Sequence, residues 1–214
     1  MALPNVPPCP DTPDRAIEVL ESSATWTGAE GTLTSAVSLW MQYLELARAV
    51  VATPVGRDAR LEVTLEGGTR ALTEVGFGLS QVLPILVAGL CLDNEGILIV
   101  EQPEGQLHPR PQAALADFFC FLAKTGRGAL IETHSEAFFH RLRLRAAMDD
   151  ELASKIAVYA LDRPEDGKCC KPKFIDLGED REMDWPNGFM TDGGEEALSL
   201  LAVRAARHRR ARPL

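Results

Sequence analysis

A chain of 214 residues that is 46% hydrophobic has enough apolar content for one medium-sized core, which excludes wholesale disorder. A net charge of −9 excludes a chain-wide basic surface for nucleic acid. Every long apolar run is broken by Gly, Pro or charge, and the start, MALPNVPPCP, lacks the basic and apolar regions of a signal peptide, so a cytoplasmic protein without membrane contact is expected.

Residues 1–15 carry five prolines and read as a flexible lead-in. From Ala16 to Val51 the pattern is helical, interrupted by the polar stretch Ser22–Gly31, with Trp40, Leu44 and Ala47 on one face. Arg60–Glu66 alternates as a strand, Gly67-Gly68 is a hairpin turn, and Thr69–Val75 returns. An apolar helix is predicted over Ser80–Leu92, with Pro84 near its first turn. Ile97–Val100 is all apolar and reads as a short parallel strand buried on both faces. Pro109 and Pro111 mark a helix start, and that helix runs to Lys124 with Gly126 as its stop. Gly128–Glu132 is the next strand, followed by a helix over Ser135–Met148 in which Thr133 and Glu136 fit a capping box. Lys155–Leu161 and Lys173–Leu177 form a further strand and its antiparallel neighbour, and a last helix spans Gly194–Arg207. Strand–helix–strand order with short apolar strands predicts an α/β fold: a parallel sheet covered by helices on both faces, with a small antiparallel hairpin portion. Of five cysteines, Cys91 and Cys120 lie in apolar helical contexts and are expected in the core. Cys9 falls in the lead-in, and Cys169-Cys170 has no second pair at zinc spacing.

Three segments carry candidate chemistry. Glu101, directly after Ile97–Val100, puts a carboxylate at the end of a parallel strand, facing the crevice where such sheets bind ligands. Mg2+ prefers one or two such carboxylates together with phosphates. The blander reading is an acidic residue that merely ends a strand. Gly76-Phe77-Gly78-Leu79-Ser80-Gln81 could bring backbone close to a ligand, with Ser80 opening a helix whose free N–H groups favour phosphate. The blander reading is a Gly-rich turn with a serine cap. His134 follows the Gly128–Glu132 strand and is expected in the same crevice as Glu101, to bond a phosphate oxygen or orient water, or simply to help a helix start. The tail Arg204–Arg212 and the aromatics Trp185 and Phe189 read first as solvated and packing residues, and second as contacts to nucleic acid or a partner.

In order and spacing, GFGLSQVLPIL, VEQPEGQLHP and IETHSEAF resemble the signature, Walker B with D-loop, and switch-histidine segments of the ABC/RecF/SMC-like AAA ATPases of the overcoming-lysogenization-defect group. Ile175–Gly178 with Asp184–Phe189 resembles the C-terminal extension called DUF3696. The resemblance implies a partial P-loop NTPase: a helical segment over 16–58, the C-terminal half of an ABC-type core over 59–161, and a DUF3696-like extension with basic tail over 162–214. It implies that Glu101 holds Mg2+ through water, that Gln102 stands where the general base usually lies, and that His134 is the switch histidine. Gly76, Gly78, Ser80 and Gln81 would contact the γ-phosphate of ATP held by a second subunit, with Gly105–His108 as the D-loop between subunits. Two departures stand out. No Gly-x-x-x-x-Gly-Lys-Ser/Thr phosphate loop occurs, so a Walker A-bearing N-terminal half or subunit is expected on another polypeptide, or the chain is a fragment. Gln102 cannot accept a proton, so turnover is expected to be slow unless Glu104 supplies the base. The expected assembly is a homo- or heterodimer closed by ATP, driving a nuclease or nucleic-acid effector in DNA repair or anti-phage defence. The alternative is a non-catalytic, degenerate interaction module.

Overall fold

The computed structural model describes residues 30–55, 58–93, 95–162 and 171–175. The lead-in, Cys9, Cys169-Cys170, the DUF3696-like segment after Ile175, the last predicted helix and the arginine tail lie outside the described residues. The chain divides into two compact units, one ending at Lys155 and the other beginning at Ile156.

The first unit opens with helix α1 (Glu30–Tyr43), which delivers Val37, Trp40 and Met41 to the core. The predicted helix reaches Val51; the observed one stops at Tyr43. Glu45 takes a left-handed φ of 57°, which ends the helix, and the β-branched run that follows becomes strand β1 (Ala49–Val55). Strands β1, β2 (Asp58–Leu65) and β3 (Gly68–Ala71) form an antiparallel sheet with Val50 opposite Val63, and these two valines point into the core. Gly68 at the hairpin has a φ of 112°, a conformation that glycine supplies at least cost. The returning strand is shorter than predicted and gives way to a 3-10 turn over Leu72–Glu74.

Helix α2 (Phe77–Cys91) begins three residues before the predicted Ser80. Pro84 therefore lies inside the helix, where it removes the bond to the Ser80 carbonyl, rather than in the first turn. Cys91 closes the helix and is exposed, contrary to expectation, whereas Cys120 is buried as expected.

Strand β4 (Ile97–Glu101) and strand β5 (Gly128–Glu132) are parallel and pair in register from Ile97↔Gly128 to Glu101↔Glu132. Helix α3 (Pro109–Lys124) crosses between them and is nearly all core over Ala114–Leu122. Its Phe118 meets Trp40 edge to face at 5.0 Å, a pairing that adds roughly 1 kcal/mol to the burial of two large rings. The β4–β5 pair alternates rather than being buried on both faces. Leu98, Val100 and Ile131 pack on the core, while Ile97 (66%), Ile99 (70%) and Leu130 (63%) are exposed. A run of apolar residues fits a strand with both faces covered, but a strand buries only the face that another layer reaches.

Helix α4 (Glu136–Met148) packs on α3, and a short helix α5 (Asp150–Ser154), not foreseen, follows Asp149. Asp149 Oδ1 caps it by accepting from the Leu152 N–H at 3.0 Å. Between α1, α3 and α4 sits fully buried Asp117. It accepts from Arg145 Nε at 2.7 Å, from Arg141 Nη1 at 3.0 Å and from the Tyr43 hydroxyl. The second unit contributes strands β6 (Val158–Asp162) and β7 (Lys171–Ile175), an antiparallel pair in which Tyr159 and Phe174 meet at 5.5 Å. The predicted continuation of the parallel sheet into this strand is therefore not seen among the described residues: β6 pairs only with β7.

Candidate functional site at the carboxyl ends of the parallel strands

Register places Glu101 and Glu132 side by side at the ends of β4 and β5. The chain turns sharply there. Gln102 adopts a left-handed φ of 47°, and its N–H still reaches the Glu132 carbonyl at 2.8 Å, carrying the ladder one residue past the strand. The turn then closes on itself: the Gly105 N–H donates to the Gln102 carbonyl at 3.0 Å and the Leu107 N–H to the Glu104 carbonyl at 3.1 Å. Gln106 is also left-handed, with φ 62°. Two non-glycine residues in that region within five positions cost about 1–2 kcal/mol each, a concentration of strain typical of functional turns.

His134 lies two residues beyond β5, at the same end as Glu101, and both side chains are exposed. Its Nε2 is 3.6 Å from Glu132 Oε1. Its main-chain N–H donates to Glu104 Oε1 at 2.9 Å. Glu104 is thus fastened to the His134 turn, while its other oxygen, Oε2, is buried with no hydrogen-bond partner. The turn after β5 is capped by Ser135, whose Oγ accepts from the Phe138 N–H at 3.1 Å; Thr133 Oγ1 accepts from the Ser135 N–H instead of serving as the expected cap.

The glycine–serine segment packs against the 102–107 turn. Gly78 is buried, and a Cβ built on it would sit 2.7 Å from the Gln106 carbonyl oxygen and 3.0 Å from Leu107. The close approach inferred for Gly78 is therefore to the chain's own turn. Gly76 has open space around it. Ser80 does not open the helix; Gly76 is the N-cap residue, and the Ser80 hydroxyl donates to the Phe77 carbonyl at 2.8 Å. Exposed Gln81 places Oε1 3.3 Å from where a Cβ on Gly105 would lie. His108 is exposed at the N-cap of α3 and makes no side-chain cap bond.

Gln112 escaped the sequence reading. From the first turns of α3 its Nε2 donates to the Leu107 carbonyl at 2.8 Å, and its Oε1 accepts from Ser135 Oγ at 2.7 Å. It ties the turn after β4 to the cap of α4. The available signal was an amide in the first turns of a helix that is mainly apolar beyond them.

The arrangement brings Glu101, Gln102, Glu104, Glu132 and His134 to one rim. These five side chains include three carboxylates and no lysine or arginine. No group of three or more His, Cys, Asp or Glu among the described residues could hold a metal ion. A single exposed carboxylate fits Mg2+ only where phosphates complete the shell, which is how that ion is usually held. No helix among the described residues is long and apolar enough to cross a membrane.

No curated protein matches the chain. A solved structure described as "Structural biochemistry of ATP-driven dimerization and DNA stimulated activation of SMC ATPases" superposes with a TM-score of 0.46 at 10% identity, covering 92% of this chain and 99% of that chain. Residues 10–139, more than half of the sequence, match the family model described as "AAA domain, putative AbiEii toxin, Type IV TA system". The chain belongs to this AAA-domain family.

Proposed function

We propose that this chain supplies one face of an ATP sandwich: the signature, Walker B and switch-histidine elements of a dimeric ATPase clamp. One observation carries the reading. Glu101 and His134 emerge at the same end of the β4–β5 pair, and the first turn of α2 packs against the 102–107 turn that follows Glu101 and bonds the His134 N–H through Glu104. In this reading Glu101 takes part in holding Mg2+, Gln102 orients water, and His134 faces the terminal phosphate. Bound Mg2+-ATP would supply the hydrolysable phosphoanhydride. Gly76, Ser80 and Gln81 present the start of α2 to a phosphate carried by the opposing subunit, with Gly78 holding that helix start against the turn. His108 belongs to the segment between subunits.

An acidic rim needs its phosphate-binding cation from elsewhere, which supports a phosphate-loop-bearing partner. The exposed face of Ile97, Ile99 and Leu130 supports it too, because parallel strands are ordinarily covered on both sides. The family's description as a toxin of a type IV system supports a defence setting for the effector. The DUF3696-like extension belongs to the same proposal.

The test is Mg2+-ATP binding by calorimetry, for this chain alone and for the chain with the product of the upstream neighbouring frame. Weak binding alone and tight binding together is the expected result. Tight binding by the lone chain would sink the split site. In the complete assembly, Gln102→Glu is expected to raise hydrolysis about 100-fold or more, within the ordinary reach of a well-placed general base.

A further inference from the structure

The Glu104 carboxylate is 8% exposed, yet only one of its oxygens is satisfied, and that one binds a main-chain N–H thirty residues away. Burying a carboxylate with half its acceptors unmet works against stability. The bond it does make is specific: it holds His134 by the backbone and leaves the imidazole exposed. Three contacts run in sequence through this point. Gly78 of α2 abuts the Gln106 carbonyl, the 102–107 turn closes on itself, and Glu104 grips His134. Displacement of the α2 start therefore reaches the His134 turn through groups already in contact.

We propose that Glu104 is a positioning residue: it fixes His134 through the main chain and couples it to the start of α2. It does not act as the base. The coupling rests on the ATP-sandwich reading; the grip on His134 does not.

The experiment compares the full chain with Glu104→Ala and Glu104→Gln. Glutamine keeps an oxygen to accept from His134, and alanine keeps none. Amide hydrogen exchange should accelerate at His134 by about tenfold or more in Glu104→Ala, the scale of one lost hydrogen bond, and remain near the parent in Glu104→Gln. The amides of β5 serve as the control for folding. The ring signal of His134 in a 1H–13C spectrum should move or broaden in the alanine variant and return in the glutamine one. In the assembly with the upstream-frame product, Glu104→Ala should lower kcat for ATP about 10- to 100-fold with KM nearly unchanged, and Glu104→Gln should restore it.

Equal His134 exchange in all three proteins overturns the proposal. So does loss of β5 protection in both variants, because Glu104 would then hold the fold and not the histidine. Lost kcat in Glu104→Gln with a normal His134 signal also overturns it, since that outcome assigns proton transfer to Glu104. An assembly without ATP turnover counts against the sandwich, while the exchange data still decide the grip on His134.

Discussion

Two carboxylates are buried in the same unit, and they are treated in opposite ways. Asp117, between α1, α3 and α4, is fully buried and meets two guanidinium groups and a phenol. Glu104, in the turn after β4, meets one main-chain N–H and leaves an oxygen unpartnered. A satisfied network in low dielectric fixes one arrangement of the helices around it. A half-satisfied one costs stability, and such local costs are typical of turns that serve a site rather than the packing around them. The surroundings agree. Asp117 lies beside the Trp40–Phe118 core, whereas the Glu104 turn contains both Gln102 and Gln106 in left-handed conformations.

The largest effect that can test this contrast comes from Asp117→Ala. Removing the acid leaves Arg145 without it in a site where the guanidinium is nearly buried, so a loss of about 3–5 kcal/mol is expected in urea unfolding. Glu104→Ala should cost well under half of that. A comparable loss at the two sites would erase the distinction.

Alkaline pH addresses the same core. Burial first, then the charge of Asp117, pushes the Cys120 thiol up from 9.0 to about 12. The Tyr43 hydroxyl is raised in the same direction by burial and then by Asp117. In the unfolded chain the thiol loses its proton near its ordinary value, before the folded chain does. Stability is therefore intact below pH 9 and drains as pH climbs from 9 towards 12. The Cys120 share of that loss is roughly 2–4 kcal/mol. Cys120→Ala should flatten it, as followed by circular dichroism, and an unchanged alkaline slope would remove the thiol from the account.

Gly78→Ala is the next test, on the side of the candidate site. A methyl group there meets a backbone oxygen at 2.7 Å, and a carbonyl cannot swing away as a side-chain tip can. About 1–3 kcal/mol of destabilisation is expected, together with faster amide exchange across residues 102–107. Gly76→Ala, with open space around the site, should change neither.

What could be read from the sequence divides along the same line. The bounds of β5 and of α3 agree with expectation because their signals are local: proline at a first turn, Gly126 at a stop, and a short apolar run between. That Glu101 and His134 lie at the same end of the strands was legible because parallel pairing with a helical crossover leaves little freedom in where the strand ends fall. The open face of Ile97 and Ile99 was not legible, since apolar content reports what a strand could bury and not which layers cover it. The grip of Glu104 on His134 was also out of reach. It depends on a turn whose left-handed residues are glutamines, and glycine would have been the usual signal for that backbone. Asp149 could have announced α5, since an acid three residues before a leucine in a short polar run is a recognisable cap, but a five-residue helix has almost no periodicity to read.

The smallest effect is expected at Gln102, where two terms oppose each other. Its φ of 47° strains a side chain with a Cβ by about 1–2 kcal/mol, and glycine would relieve that strain. Glycine also gives the unfolded chain more conformations to lose, at about 0.5–1 kcal/mol. Gln102→Gly should therefore unfold within about 1 kcal/mol of the parent, on the stabilising side. Gln102→Ala, which keeps the strain, should show no such gain. A gain confined to glycine would locate the stored strain in the backbone of the turn itself, beside the half-satisfied Glu104. Equal behaviour of the two variants would mean that the turn is relaxed as it stands, and the contrast with the Asp117 core would then rest on hydrogen bonding alone.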